Sequence, residues 1–411
     1  MTRLLTRLKT LLPRPQRRAH QQYRTIASSE SLELRQLLAA TLVREFNTDT
    51  IPVGPELRGD ARWFGNTSAV LQDSLYFFDY TTLYRSDLSG TQQIINLAPG
   101  EEFANLRWLQ PVADRLFFSA PNATHQGLWV SDGTSQGTHP LRETEADCID
   151  PEYLTPFQNS LLFVASNDST GYELWRSDGT SAGTQMLLDL LPGAGFAYIE
   201  DLTVVGDSVY FVATLPDSGR EVWRTDGTPL GTQLLADLAP GTDSSYPNSL
   251  TVVGDRIYFS ASTPGNSPIL WTSDGTTAGT VPVLDGLNNP IALPAGLFPL
   301  GNSLLFSASA ANGRELWKAE GTVAAEVIDL QPGAAGSFPN GFTRLGDQVF
   351  FAADDGQVGA ELWATDGTAA GTHLVADLNS SGSSSPAKLA STGQYLFFSA
   401  THENLGTEVW Q

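Results

Sequence analysis

Carboxylates that recur at one place in a repeated motif are the residues of this sequence best placed to do chemistry. Five aspartates each precede a Gly-Thr pair: Asp132, Asp178, Asp226, Asp274 and Asp366. Carboxylate oxygens bind Ca²⁺, but a calcium loop supplies several oxygen ligands at alternating positions and this motif supplies one. Asp-Gly-Thr is also typical of a hairpin turn, because Asp accepts backbone hydrogen bonds two residues on and Gly adopts a positive φ. We therefore interpret the five aspartates as turn residues and predict no metal or cofactor, with Ca²⁺ as the alternative.

A second series of carboxylates precedes an apolar residue and a tryptophan: Glu173, Glu221, Glu315, Glu361 and Glu408. These glutamates could form a ring of acids, but spacing by repeat favours one scaffold contact made in every repeat. No GxSxG motif, phosphate-binding glycine loop or Ser/His/Asp set can be identified by spacing. The five histidines show no HxxxH or HxH spacing, and Cys148 is the only cysteine. The sequence therefore predicts no catalytic residue.

The elements that must position these acids are repeats. One aromatic residue marks each copy: Tyr84, Trp129, Trp175, Trp223, Trp271, Trp317, Trp363 and Trp410. The intervals are 45, 46, 48, 48, 46, 46 and 47 residues, within the range of propeller-type repeats. Each repeat contains four short apolar segments separated by turn residues, which indicates four β-strands, a to d.

The count of strands predicts the number of blades. Strands b and c occur eight times, whereas strand d follows only the first seven copies of strand c. We expect the eighth strand d to be Thr41–Asn47, whose sequence resembles residues 372–379. Such a strand would close the ring and remove two free sheet edges. The sequence thus predicts an all-β propeller of eight four-stranded blades over residues 41–411, or seven if the divergent first repeat is an appendage.

The repeats resemble the bacterial ELWxxDGT repeat family. The full pattern stands at Glu173, Glu221 and Glu361, and with weaker copies the resemblance covers nearly all of residues 69–411. It implies a repeat domain of large exported or surface proteins with no defined reaction. The copy at Leu83 lacks Asp-Gly-Thr, and the copy at Glu315 has Glu320 in place of Asp.

The charge is divided unevenly along the chain. Residues 1–47 contain nine Lys/Arg and three Asp/Glu, so the remainder has 14 basic and 42 acidic side chains, a net charge of −28. Such a body would repel nucleic acid and anionic lipid, and no apolar run is long enough to span a membrane. Residues 1–40 are interpreted as a basic targeting or disordered tail. Residues 31–40 resemble the Leu-Glu-Pro-Arg-x-Leu-Leu segment of exported bacterial surface proteins, with Leu34 where proline is usual, which implies export.

One side of the predicted propeller is the better candidate for binding. In a four-stranded meander the b–c and d–a loops emerge together, opposite the short repetitive a–b and c–d turns, and variable loops on a rigid scaffold commonly carry function. The candidate ligand-binding residues on these loops are Tyr198, Tyr246, Phe338, Asp168, Asp217, Asp354, Asp355 and Glu403. We expect a non-enzymatic module, exported or at the cell surface, that binds a protein or glycan, or has a structural role. The alternatives are a hydrolase or lyase with an acidic site in the central channel, and a calcium-supported adhesion module.

Overall fold

The computed structural model describes residues 67–101, 104–121, 126–141, 149–167, 169–193 and 195–411. In these ranges every regular element is a β-strand, β1 to β31. The predicted all-β class is therefore confirmed. The fourth strand predicted at Thr41–Asn47 and the tail of residues 1–40 lie outside the described residues.

Each repeat folds as an antiparallel meander in the order a-b-c-d, and we number these sheets as blades 1 to 8. The a strands are β1 Ser68–Leu71, β5 Arg107–Val112, β9 Ile149–Phe157, β13 Glu200–Val205, β17 Asn248–Val253, β21 Ala292–Leu300, β25 Asn340–Leu345 and β29 Ala387–Ser391. The b strands are β2 Ser74–Asp79, β6 Arg115–Pro121, β10 Ser160–Ser166, β14 Ser208–Leu215, β18 Arg256–Ala261, β22 Ser303–Ala310, β26 Gln348–Asp354 and β30 Leu396–His402.

The two remaining strands complete the blades. The c strands are β3 Thr82–Asp87, β7 Gln126–Ser131, β11 Glu173–Ser177, β15 Gly219–Thr225, β19 Ile269–Ser273, β23 Gly313–Glu320, β27 Ala360–Thr365 and β31 Gly406–Trp410. The d strands are β4 Gly90–Asn96, β8 His139–Pro140, β12 Gln185–Leu188, β16 Gln233–Leu234, β20 Val281–Pro282, β24 Val323–Ile328 and β28 His373–Ala376. Within the described ranges blade 8 has three strands, a, b and c.

The chain divides into two compact units. The first is Met1–Arg58 with Ser86–Gln92, of which the structure describes the tip of the β3–β4 hairpin. There Ser86 and Thr91 hydroxyls are hydrogen-bonded at 3.0 Å, and the Ser89 amide donates to Asp87 at 2.8 Å.

The second unit is Gly59–Arg85 with Gln93–Gln411. In it the a strand of each blade contacts the a strand of the next, from β1 through β29. This is the arrangement of a β-propeller, and it shows the eight blades that the main expectation required. The first repeat, which the seven-blade alternative treated as an appendage, builds a sheet of the same strand order as the others.

The core of this unit consists of apolar side chains from strands b and c. Phe163, Phe211, Phe259, Phe306 and Phe351 of strand b are fully buried. Each is paired across the b and c strands with the Trp of strand c. The rings of Phe163 and Trp175, for example, are 6.3 Å apart. Burying a phenylalanine stabilises a fold by roughly 1.5–3 kcal/mol, so these layers hold each blade rigidly. The loops at the blade ends are therefore presented on a fixed scaffold.

Blades 5 and 6 differ from the others because they join in one sheet. Ile269 pairs with Ala292, the first residue of β21, and Leu284 forms bridges to Pro290 and Val323. The connection between β20 and β21 consequently follows a path that the other blades do not share.

Candidate binding face

The three aromatic candidates occupy one equivalent position in three d–a loops. Tyr198 and Tyr246 are 65% exposed and Phe338 is 57% exposed. All three have a positive φ, of 44°, 50° and 51°. A left-handed backbone is unfavourable for bulky residues and persists only where the surrounding structure imposes it. The source of that constraint is the residue before each aromatic.

The residue before each aromatic has a small, buried side chain, and where that residue is serine it donates to the repeated glutamate. In blade 4 the amide and hydroxyl of Ser245 donate to the Glu221 carboxylate at 3.0 and 2.6 Å. In blade 6 Ser337 donates to Glu315 at 2.8 and 2.5 Å. In blade 7 Ser384 donates to Glu361 at 2.6 and 2.5 Å. These three glutamates are fully buried.

We call this arrangement the glutamate clasp: the carboxylate at the start of strand c, the small residue of the d–a loop, and an amide at the end of strand d. That amide is Ala239 for Glu221, at 3.2 Å, Leu330 for Glu315, at 3.0 Å, and Leu378 for Glu361, at 3.1 Å. Burial raises the pKa of Glu221, and its hydrogen bonds oppose that rise. Since each clasp fixes the residue before an exposed side chain, it fixes the direction of that side chain.

The clasp explains most of the second carboxylate series. The expected scaffold contact is present at Glu173, Glu221, Glu315 and Glu361. Glu408 is exposed among the described residues, and the strand predicted to supply its partner, Thr41–Asn47, lies outside them, so the contact in blade 8 stays a prediction. The acids therefore do not form a ring of available carboxylates.

Blade 3 has an incomplete clasp. Glu173 is fully buried and accepts a hydrogen bond from the Leu190 amide at 2.7 Å, but its Oε1 has no hydrogen-bond partner among the described residues. Ala197 stands where the other clasps have serine, so the hydroxyl donor is missing. Burial, followed by the effect of the nearby Asp189 carboxylate, raises the pKa of Glu173 to about 7.

The d–a loop of blade 3 carries further aromatic side chains. Phe196 is 48% exposed, and its ring centroid lies 6.1 Å from that of Tyr198 and 6.0 Å from that of Tyr172. Aromatic pairs at such distances contact through offset or tilted faces. The three rings form a partly exposed apolar surface next to the incomplete clasp.

The acidic candidates are placed in b–c loops, where most of them shape the chain. Asp354 accepts from the Gly356 amide at 2.7 Å, and Asp355 accepts from the amides of Gln357 and Val358 at 2.9 and 3.0 Å. Glu403 accepts from the Ser380 hydroxyl at 3.0 Å, and Asp217 is exposed. The bond between Ser380 and Glu403 joins the d–a loop after blade 7 to the b–c loop of blade 8. Asp168 lies outside the described residues.

The aspartates of the first series occupy the c–d turns on the opposite side. Asp226 accepts from the Thr228 amide and hydroxyl at 2.9 and 2.6 Å, and these bonds lower its pKa. A Cβ on Gly231 would lie 2.0 Å from the Asp226 carboxylate, so the turn requires glycine there. The same bonds occur at Asp132, Asp178, Asp274 and Asp366. One oxygen of each carboxylate is thus engaged within its own turn.

The hydrolase alternative placed a site in the central channel, but the sequence did not identify the residues that line the axial cavity found there. This cavity measures about 370 Å³ and is lined by the a strands of blades 2 to 5, including Trp108, Tyr153, Asp201 and Ser249. These four residues have φ between 52° and 63°, each at a β-bulge. At three of these bulges the hydroxyl of the threonine two positions further along the chain donates to the carbonyl of the positive-φ residue, at 2.8 to 3.0 Å. The repeated Leu-Thr pair at residues 154–155, 202–203 and 250–251 was the sequence signal of this bulge.

The described residues bear on membrane spans and on metal clusters. They contain no helix that is long and apolar enough to cross a membrane. They also contain no group of three or more His, Cys, Asp or Glu side chains arranged to hold a metal ion. The calcium alternative remains untested.

No protein-family model and no curated protein sequence matches the chain. Solved structures similar to it include puromycin hydrolase, with 15% identity, a TM-score of 0.38, and coverage of 73% of this chain and 50% of that one. The acylaminoacyl peptidase of Pyrococcus horikoshii has 12% identity, a TM-score of 0.35, and coverage of 82% and 57%. The β-propeller domain of the Trilobed protease from Pyrococcus furiosus has 11% identity, a TM-score of 0.33, and coverage of 77% and 96%. The chain spans about half the length of the first two proteins. Identities this low concern the fold alone, and the fold of this chain is the β-propeller that its own sheets display.

Proposed function

We propose that this propeller is a non-enzymatic binding module that engages a protein or glycan through its b–c and d–a loops. The observation that carries the proposal is the clasped aromatic residue: Tyr246 and Phe338 are exposed and follow a serine buried against a glutamate. A side chain held in place before binding loses less conformational entropy on binding. Aromatic rings also supply large contact areas to protein and sugar partners.

Export to the cell surface is the second part of the proposal. It is supported by the resemblance of residues 31–40 to segments of exported proteins and by the resemblance of the repeats to a surface-protein family. The net charge of −22 favours partners that are not anionic, which excludes nucleic acid as the preferred ligand. Binding to the loops requires no metal.

A hydrolase is the second candidate function. The similar structures are named as a hydrolase and peptidases, and these names agree with this class rather than with a binding module. Because that likeness concerns the fold, the candidate depends on the axial cavity, where Asp201 lies among the hydroxyl-bearing Thr155, Thr203 and Ser249. General acid-base hydrolysis requires a carboxyl group within hydrogen-bond reach of the substrate, and Asp201 is the acid that lines this cavity.

A glycan array probed with the full chain, with Ca²⁺ and with chelator, tests the proposal. We expect binding that is lost at least tenfold in Tyr246→Ala and Phe338→Ala. Leu230→Ala is the matched control, because Leu230 is 97% exposed on the c–d turn of the blade that precedes the Tyr246 loop. Equal losses in the control and the loop variants would contradict the assignment of the loop face. Release of cleaved glycan that is abolished by Asp201→Asn would instead establish the hydrolase.

A further inference from the structure

A cavity of about 480 Å³ lies between blades 5 and 6, on the side of the b–c and d–a loops. Its apolar lining includes Leu287, Pro290, Ala310 and Ala311. The Glu326 carboxylate and the Trp317 ring also line it. This size and this mixture of an apolar wall with a few polar groups are typical of small-ligand sites. The site is separate from the clasped aromatics and does not depend on the function proposed above.

The cavity forms where the clasp is replaced. Ile269 stands at the clasp position of blade 5, and a turn at residues 285–290 connects β20 to β21. The Asp285 carboxylate closes that turn by accepting from the Leu287 amide at 2.8 Å and from the amide and side chain of Asn289 at 2.8 and 3.0 Å. Leu287, Asn289 and Pro290 of this turn line the cavity, together with Asn312, Trp317 and Glu326 of blade 6.

Glu326 breaks the pattern of the repeats. It pairs with Trp317 across strands c and d of blade 6. In blades 2, 3, 4, 5 and 7 the residue that pairs with the equivalent tryptophan is apolar: Pro140, Met186, Leu234, Pro282 and Leu374. A carboxylate at a half-buried, otherwise apolar position costs folding free energy, and such departures from a pattern are concentrated at functional sites.

The surroundings of Glu326 are negative. Its two oxygens are each 3.1 Å from the Asn312 amide nitrogen, which the two-residue β22–β23 turn brings over strand d. Burial raises the pKa of Glu326, and the neighbouring Asp329 and Glu315 carboxylates raise it further. Among the described residues that line the cavity there is no lysine or arginine to neutralise it.

We propose that this cavity binds a protonated amine at the end of an aliphatic chain, such as a lysine side chain. The ammonium group pairs with the Glu326 carboxylate, and a charge-assisted hydrogen bond in a partly desolvated site is stronger than a neutral one. The aliphatic chain lies against Leu287, Pro290 and the alanines, as lysine stems lie along apolar surfaces in proteins. The Trp317 ring adds cation–π attraction.

Calorimetric titration of the full chain with Nα-acetyl-lysine N-methylamide tests this inference. The matched ligand is Nα-acetyl-norleucine N-methylamide, which has the same aliphatic stem without the ammonium group. We expect the lysine compound to bind at least tenfold more tightly, and the binding to weaken as salt increases. Hexylamine serves as a second probe: equal binding of hexylamine assigns the site to free amines, and weaker binding assigns it to lysine residues of a peptide.

The variants separate the ligand contact from folding. Glu326→Gln is expected to weaken lysine binding at least tenfold, and Asp347→Asn, which removes one charge at an exposed a–b turn of blade 7, is expected to leave it unchanged. Glu326→Leu restores the apolar residue of the other blades and should raise the melting temperature while abolishing binding. Equal affinity for the lysine and norleucine compounds in the unaltered protein overturns the inference, and so does unchanged lysine affinity in Glu326→Gln.

Discussion

Completing the clasp of blade 3 with Ala197→Ser should stabilise the protein in a pH-dependent way. The three complete clasps place a serine hydroxyl 2.5 to 2.6 Å from the glutamate. The backbone of Ala197 makes the same hydrogen bond as that of Ser245: the Ala197 carbonyl accepts from the Thr214 amide at 2.7 Å, and the Ser245 carbonyl accepts from the Ser262 amide. A serine at position 197 can therefore donate to Glu173, whose Oε1 has no partner within the described ranges.

The pKa of Glu173 sets the magnitude. Raising it from 4.5 to about 7 corresponds to about 3 kcal/mol of free energy disfavouring the ionised form in the fold. Between these pH values the folded chain binds more protons than the unfolded chain, so the free energy of unfolding falls as pH rises from about 4.5 to about 7, and stays lower above. A new hydrogen bond to the charged carboxylate should restore about 1–2 kcal/mol of this at pH 8 and far less at pH 4.

Urea unfolding followed by tryptophan fluorescence, at intervals from pH 4 to pH 8.5, measures this gain. The Glu173→Gln background provides the control, because without an ionisable acid the serine should bring no pH-dependent gain. If Ala197→Ser gives the same stability change at pH 4 and pH 8, or destabilises the protein at pH 8, the account of the clasp is refuted.

Three further perturbations test the scaffold. Ser245→Ala should cost about 1–3 kcal/mol of unfolding free energy and raise the pKa of Glu221 further, because a buried carboxylate loses a donor; a titration of the Glu221 carboxyl resonance measures the pKa. Asp226→Ala should lower the free energy of unfolding by about 1 kcal/mol, because the c–d turn loses the hydrogen bonds that Asp226 accepts. The melting temperature of the unaltered protein should be the same with Ca²⁺ and with chelator, and a rise with Ca²⁺ would contradict the turn interpretation. Removing residues 1–50 should lower the melting temperature sharply and removing residues 1–38 should not, and equal melting of the two would contradict closure by Thr41–Asn47.

The fold could be predicted because the features of the sequence that specify its strands and turns recur at a regular interval. Alternating apolar residues, turn residues at fixed offsets and an aromatic marker every 45 to 48 residues specify four strands per repeat, and the count of strands b and c correctly predicted eight blades. Each of these signals lies within one repeat, so it can be recognised without knowing how the chain is arranged in space.

The binding regions could be predicted only in part, for a physical reason. Tyr198, Tyr246 and Phe338 were identified because they recur after Pro-Gly. The carboxylate that holds the loops of Tyr246 and Phe338 contacts residues 15 to 24 positions away in sequence, and this contact depends on the pairing of strands c and d. The cavity beside Glu326 needs residues from two blades, which no local pattern brings together. The axial cavity depends on bulges, whose positive φ the sequence indicates only through Leu-Thr pairs.

The repeats supply an internal reference against which each blade can be judged. The Asp-Gly-Thr turns on one side satisfy the same bonds in blades 2, 3, 4, 5 and 7, so that side is constrained by folding alone. Ala197, Ile269 and Glu326 differ from the residues at the same positions of other blades: Ala197 lies in a d–a loop, Ile269 begins strand c of blade 5, and Glu326 lies within strand d of blade 6 and lines the cavity. Selection for stability alone would favour serine at position 197 and an apolar residue at position 326, since the other blades show that both fit. The missing serine at position 197 and the carboxylate at position 326, together with the left-handed aromatic residues of the d–a loops, are the physical arguments for our proposal that this side of the propeller binds ligands.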